Sequence, residues 1–155
     1  MTDRRRRAHI DICALQRPFD RADDLPEDEQ EAVAARFAAE VEALEHVLQR
    51  SDLVATPAHY AEAARCQDEP RRNYMEALLR TAPIQVPLAP LTLTESARLT
   101  AIRAAGIKER DAYHLMYAEA HADVLITVDD DFLTKATKIG TIPACSLTQA
   151  QAEIT

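Results

Sequence analysis

Glycine is scarce in this sequence: Gly106 and Gly140 are the only glycines among 155 residues. Nucleotide-binding loops of the GxGxxG and P-loop kinds need several glycines, because their backbone amides must come close to phosphates. The scarcity therefore excludes both kinds of loop. A GxSxG nucleophile elbow is also missing, which leaves a Ser/His/Asp hydrolase unsupported.

Cysteine pairs and long apolar runs are missing as well. The three cysteines, Cys13, Cys66 and Cys145, form no CxxC motif and leave one thiol over, which is typical of reduced thiols in a cytoplasm. No apolar run approaches the roughly 20 residues that cross a bilayer. The arginine-rich start is not followed by the continuous apolar stretch of a signal peptide. We therefore expect a cytoplasmic protein without membrane contact.

The charge balance argues against non-specific binding to nucleic acid. The formal net charge is −8, and phosphate binding requires local positive charge. A local basic rim is still compatible with this balance, and Arg17 is one candidate for it, although most surface cations are simply solvated. Hydrophobic residues make up 47% and charged residues 28% of the chain, as in globular proteins. We expect a single domain that spans residues 1–155.

Short apolar segments alternate with helical patterns along the chain. The segments predict strands at residues 8–15, 53–56, 84–88, 124–127 and 141–145. The helical patterns predict helices at residues 27–49, from Pro57, at residues 69–81, between a capping box at residues 92–95 and Gly106, from Asp111, and at residues 132–138. Apolar strands separated by helices indicate an α/β domain with a mainly parallel sheet.

Four acidic residues can meet at one edge of this sheet, because sites in open α/β sheets form beyond the carboxyl ends of the strands. They are Asp11 at the end of the first strand, Glu62 about one helical turn after the second, Asp111 at a helix start, and Asp129 after the fourth strand. A cluster of carboxylates is a hard-oxygen site that suits Mg²⁺ or Mn²⁺. Such a cluster predicts metal-dependent hydrolysis of phosphodiester bonds.

Three of these acids also have structural explanations. Asp11 lies among apolar neighbours, where an unpaired charge is costly, so it must be paired or bound to a ligand. Glu62 is equally compatible with a solvated helix face. Asp111 is equally compatible with a helix cap.

The three consecutive aspartates are divided by side-chain direction. Side chains alternate in an extended segment, so Asp129 and Asp131 share a side while Asp130 points away. Asp130 and Asp131 are well placed to cap the next helix, which makes them structural candidates. A zinc site needs three or four nitrogen or sulphur ligands close together, and the sequence shows no such set of histidines and cysteines. We therefore expect His114 to be a packed or hydrogen-bonded helix residue.

Three segments resemble, in order, the motif blocks of PIN-domain ribonucleases. They are HIDICALQRPFD, AHYAEAARC and GIKERDAYHLMYAEAHADVLITVDDDFLTK, of which the last is the most specific. The likeness runs from about Ala8 to Cys145 and is greatest to a branch that groups with VapC-type toxins. It implies a three-layer α/β/α sandwich, PIN-like, in which an acidic pocket binds Mg²⁺ or Mn²⁺ and RNA is cut.

The resemblance also implies site residues and partners. The family's acids correspond to Asp11, Glu62, Asp111 and Asp129, and we add Thr127, Asp131 and Arg17 as supporting candidates. Thr127 matches a hydroxyl residue that is frequent two positions before the last family acid. The implied partners are an RNA substrate, a small antitoxin protein and a second copy of the chain in a homodimer.

The chain departs from the family beside the first acid. Ile12 stands where members commonly have Thr or Ser, Cys13 where many have Asn or Ser, and Gln16 in place of an Asn. The loss of a hydroxyl beside a metal ligand can reduce affinity or activity by about 10–100-fold. A second hypothesis is therefore a binding module that holds RNA or a protein partner without turnover. A dehalogenase-like phosphatase ranks below both, because it needs an aspartate where Cys13 stands.

Overall fold

A computed structural model describes residues 4–155, so residues 1–3 of the expected domain lie outside the described residues. Within this part the chain forms five strands and eight α-helices. The strands are β1 (Arg7–Ile10), β2 (Asp52–Ala55), β3 (Ile84–Gln85), β4 (Val124–Ile126) and β5 (Ala144–Cys145). The helices are α1 (Ile12–Leu15), α2 (Glu27–Arg50), α3 (Pro57–Arg65), α4 (Glu69–Thr81), α5 (Leu93–Ala104), α6 (Glu109–His121), α7 (Asp130–Ile139) and α8 (Leu147–Glu153).

The strands form one parallel sheet in the order β3-β2-β1-β4-β5. β1 lies in the centre, where Ala8 pairs with Leu53 of β2 on one side and with Val124 of β4 on the other. Parallel strands need crossover connections, which place helices on the faces of the sheet. The expected α/β fold with three α/β/α layers is confirmed.

Each face of the sheet has its own buried core. Side chains alternate along β4, so Val124 and Ile126 pack in the core that includes residues of α2, α4 and α8. Leu125 packs in the second core with residues of α5, α6 and α7, among them Leu115 and Phe132. Among the described residues, no helix is long and apolar enough to cross a membrane.

The main differences from the predicted elements lie beside the acids. The strand predicted at residues 8–15 ends at Ile10, because Asp11 caps α1 by accepting a hydrogen bond from the backbone N–H of Ile12 at 2.8 Å. α6 begins before Asp111, and its N-cap residue is Lys108, so Asp111 does not cap the helix. α8 was not predicted. The other predicted helices and strands are present, with bounds that differ by a few residues.

Candidate metal centre

The four predicted acids line one cavity at the carboxyl edge of the sheet. The cavity has a volume of about 480 Å³, and it is lined by Asp11, Glu62, Asp111 and Asp129, with Cys13 and Arg110 among their neighbours. Asp11 directly follows β1, and Asp129 follows the short segment after β4. β1 and β4 are adjacent in the sheet. α3 and α6 bring the other two acids to the same edge. The fold therefore assembles acids that are far apart in sequence.

Asp11 is buried and held by three donors. Its Oδ1 accepts the N–H of Ile12, and its Oδ2 accepts the hydroxyl of Thr127 at 3.0 Å and the thiol of Cys13 at 3.1 Å. Only 4% of Asp11 is exposed, so these hydrogen bonds replace lost water contacts. Ile12, which has no hydroxyl, points into the core instead. Thr127 and Cys13 thus supply the donors that Ile12 cannot.

Thr127 also connects the first acid to the last. Its hydroxyl oxygen accepts the N–H of Asp129 at 3.1 Å while its proton goes to Asp11. Asp129 then caps α7: its Oδ1 accepts the N–H groups of Asp131 at 3.0 Å and Phe132 at 3.1 Å. Our expectation that the following two aspartates form the cap was wrong, because the helix begins one residue after Asp129. Among the described residues, no hydrogen bond reaches the Oδ2 atom of Asp129.

A buried histidine lies directly behind the acids. The Nε2 atom of His114 is 3.3 Å from Oε1 of Glu62 and 3.6 Å from Oδ1 of Asp11. A carboxylate accepts only, so Nε2 of His114 is the donor. The Nδ1 atom of His114 lies 2.8 Å from Nε2 of His9. His114 is a buried, hydrogen-bonded helix residue, as expected, but its partners at the site were not foreseen. Its spacing of three residues from Asp111 is the sequence signal that could have placed it at the site.

Potential ligand atoms of two groups lie within 4.8 Å of one another: those of His9, His59 and His114, and those of Asp11, Glu62 and His114. The histidine group is a poor metal site, because both ring nitrogens of His59 are already used. Its Nδ1 accepts the N–H of Thr56 at 3.0 Å, and its Nε2 donates to the carbonyl of Ile10 at 2.7 Å. Burial and then the charge of His114 lower the pKa of His59 to about 3. The candidate ligands are therefore the carboxylates.

The acidic cavity carries an excess of negative charge. Burial and then the charges of Asp11 and Asp129 raise the pKa of Asp111 to about 6. Burial alone would raise the pKa of Glu62, but the hydrogen bond and the charge of His114 outweigh it and lower that pKa. Burial alone would lower the pKa of His114, but the carboxylates of Asp11 and Glu62 outweigh it and raise that pKa. His114 thus offsets only part of the negative charge.

Of the three supporting candidates, only Thr127 contacts an acid of the cavity through its side chain. Arg17 does not line the cavity, because its guanidinium pairs at 3.3 Å with Glu40, a buried carboxylate on α2 that needs a cation. Asp131 is exposed and pairs with Lys135 at 3.0 Å, one turn along α7. The side chains of Arg17 and Asp131 therefore lie outside the cavity, and the cations that line it are Lys108 and Arg110.

The donor set fits a hard divalent cation. Asp111 and Asp129 add carboxylate oxygens to those of Asp11 and Glu62, and oxygen ligands are the ones that Mg²⁺ and Mn²⁺ prefer. No protein-family model and no curated protein matches the chain. The likeness to PIN-domain ribonucleases therefore depends on the motif segments alone and stays a prediction.

Proposed function

We propose that the chain is a metal-dependent endoribonuclease of the PIN-domain kind, in the branch of VapC-type toxins. One observation carries the proposal: Asp11, Glu62, Asp111 and Asp129, selected from the sequence, line a single cavity at the carboxyl edge of a parallel sheet. Ligands of open α/β proteins bind at this edge. The substrate class is RNA, as the motif segments indicate.

The four acids would hold Mg²⁺ or Mn²⁺ or its water ligands. When bound, such an ion supplies positive charge that makes water a stronger acid and stabilises phosphate oxygens. The chain itself supplies the frame: Thr127 hydrogen-bonds to both Asp11 and Asp129, which fixes their separation. His114 holds Glu62 where its carboxylate can orient the attacking water.

The reaction is hydrolysis of a phosphodiester bond. The oxygen of water forms a bond to phosphorus while the bond from phosphorus to the 3′ oxygen breaks. A carboxylate of the cavity orients the water, whose proton leaves to solvent, and the 3′ oxygen gains a proton from solvent. The products are a 3′-hydroxyl and a 5′-phosphate.

The wider biological role is proposed from the resemblance alone. It comprises a small antitoxin protein as partner, a homodimer and a cytoplasmic location. An acidic cavity suits a partner that inserts a basic side chain, because the opposite charges attract.

Cleavage of a pool of structured and unstructured RNAs tests the enzyme. We expect cleavage with Mn²⁺ and loss of cleavage in EDTA, in Asp11→Asn and in Asp129→Asn. Asparagine caps helices as well as aspartate does, so both substitutions remove charge while they retain the cap. Asp131→Asn is the matched control: it neutralises an exposed aspartate outside the cavity and should leave cleavage unchanged.

Two outcomes would contradict the proposal. Undiminished cleavage by Asp11→Asn in EDTA would rule out the carboxylate–metal mechanism. No cleavage by the intact protein, together with no heat of Mn²⁺ binding in calorimetry, would favour the binding module that holds RNA or a partner without turnover.

A further inference from the structure

A second cavity adjoins the acidic one. It has a volume of about 640 Å³ and lies between α3 and α6, with part of the segment 88–91 at its edge. Glu62, Glu109 and Arg110 line both cavities. A chain-like ligand that leaves the acidic cavity can therefore continue into this second cavity, which we call the α3–α6 groove.

Two exposed arginines line the α3–α6 groove. Arg65 is the last residue of α3, and Arg110 lies in the first turn of α6. Within residues 4–155 neither guanidinium forms an ion pair or a side-chain hydrogen bond, whereas Arg17 and Arg98 are both paired with glutamates. Guanidinium groups match the geometry of phosphate oxygens. The groove therefore offers two cations for phosphate groups beside the metal centre.

The α6 wall of the groove is aromatic. Arg110, Tyr113 and Tyr117 are three and four residues apart and so lie on one face of α6. Tyr117 is buried, while Tyr113 is partly exposed. The facing wall on α3 includes two small side chains, Ala58 and Ala61, which leave room opposite the tyrosines. A planar base can stack on the ring of Tyr113 in such a slot.

An exposed leucine lies at the same place. Leu88 lines the groove and is 87% exposed. Among the described residues only Leu93, a few positions further on, is a comparably exposed large apolar side chain. Exposed apolar groups beside polar ones mark ligand-binding surfaces. A base in the groove would cover part of Leu88.

We infer that the α3–α6 groove binds the single strand of RNA that flanks the cleaved bond. Arg65 and Arg110 contact phosphates, and Tyr113 stacks on a base. Cations combined with an aromatic stacking surface are the usual chemistry of single-stranded nucleic acid sites. The identification of the strand as RNA rests on the proposed function. An acidic protein segment is the competing occupant, and failure of the intact protein to bind the RNA would favour it.

Fluorescence anisotropy with a labelled single-stranded RNA of about eight nucleotides tests the inference. The titration is made in EDTA, so that no metal-dependent cleavage occurs. Tyr113→Leu removes the aromatic face and should weaken binding by about fivefold or more, whereas Tyr113→Phe should bind like the wild type. Arg65→Gln should weaken binding and reduce the slope of log affinity against log salt by roughly 0.7.

Arg50→Gln is the matched control for Arg65→Gln. Arg50 is exposed and ends α2 just before β2, at the opposite edge of the sheet, and its substitution makes the same change in net charge. We expect its RNA affinity to equal that of the wild type. Circular dichroism on every variant checks that the fold is retained.

The outcomes for the groove and for the enzyme are distinct. The inference is overturned if the intact protein does not bind the RNA, if Tyr113→Leu and Arg65→Gln bind as tightly as the wild type, or if Arg50→Gln is weakened equally. If the protein cleaves RNA with Mn²⁺ but its RNA affinity is unchanged by these substitutions, the nuclease proposal stands and the RNA-binding role of the groove is refuted. If RNA binding depends on Tyr113 and Arg65 but no RNA is cleaved, the RNA-binding role of the groove stands and the nuclease proposal is refuted.

Discussion

Replacing Asp111 by asparagine should stabilise the metal-free protein at neutral pH. Burial and then the charges of Asp11 and Asp129 raise the pKa of Asp111 from 3.8 to about 6. The folded protein then holds this proton more tightly than the unfolded chain does, so the fold is weakened as the carboxyl ionises. The penalty is absent below the unfolded pKa, grows as the pH rises towards 6 and is complete above it. Asparagine avoids it at every pH.

The size of the effect follows from the two pKa values. A tenfold change in proton affinity corresponds to about 1.4 kcal/mol, so the change from 3.8 to about 6 sets a ceiling of ~3 kcal/mol. Asp111 is only partly buried, and solvent screening lowers the expected gain to about 1–2 kcal/mol. For a domain of this size the melting temperature should rise by about 2–8 °C.

Urea unfolding in EDTA at several pH values measures this gain. The advantage of Asp111→Asn over the wild type should be full near pH 7.5 and should shrink towards about pH 4.5. Asp131→Asn, which neutralises an exposed aspartate paired with Lys135, should give no gain. Saturating Mn²⁺ should narrow or reverse the difference, because a ligand stabilises the protein that binds it better. Equal stability of Asp111→Asn and wild type at pH 7.5, or an undiminished gain at pH 4.5, would refute the electrostatic reasoning.

Three further predictions concern the surroundings of the site and one turn of the fold. Thr127→Val should lower the free energy of unfolding by about 1.5–3 kcal/mol in urea titrations, because buried Asp11 loses a hydrogen-bond donor. Thr127→Ser retains the hydroxyl and should be close to wild type. Equal losses of stability in both variants would contradict this reasoning. Gly140→Ala should cost about 1 kcal/mol in the same assay, since the backbone there has φ of 69°, and a neutral result would contradict it. Burial and then the charge of Asp11 raise the pKa of the Cys13 thiol, so mass spectrometry should show that iodoacetamide modifies Cys13 more slowly than Cys66 at about pH 8.

The layers of the fold could be predicted because its signals are local. The apolar spacing of α2 predicted a helix at residues 27–49, and the helix spans Glu27–Arg50. α4 has the predicted bounds, Glu69–Thr81. The segment after β1 was harder, because a short apolar run fits a strand and a buried helix equally well. Asp11, whose side chain caps α1, is what ends the strand there.

The candidate site was predictable only in part. The acids could be found because each lies beside a strand end or a helix start, and parallel strands bring such positions together. His114 was assigned no role at the site, because its contacts with His9, Asp11 and Glu62 are tertiary and join distant parts of the chain. The spacing of three residues from Asp111 puts His114 on the same face of α6, but it does not reveal these distant partners. The position of Arg17 outside the cavity was unforeseen for the same reason, since its partner Glu40 lies on another helix.

The acids differ in how firmly the chain holds them. Asp11 and Asp129 each cap the helix that follows a central strand, so backbone hydrogen bonds fix their carboxylates whether or not a ligand is present. Asp111 caps nothing, and Glu62 is held through His114. Adjacent strands thus supply two rigid acids, and two helices supply acids whose positions can adjust. The proposed cation site, which must also admit a phosphate and water, would benefit from this division, because fixed ligands would set the position of a metal and adjustable ones would complete its coordination.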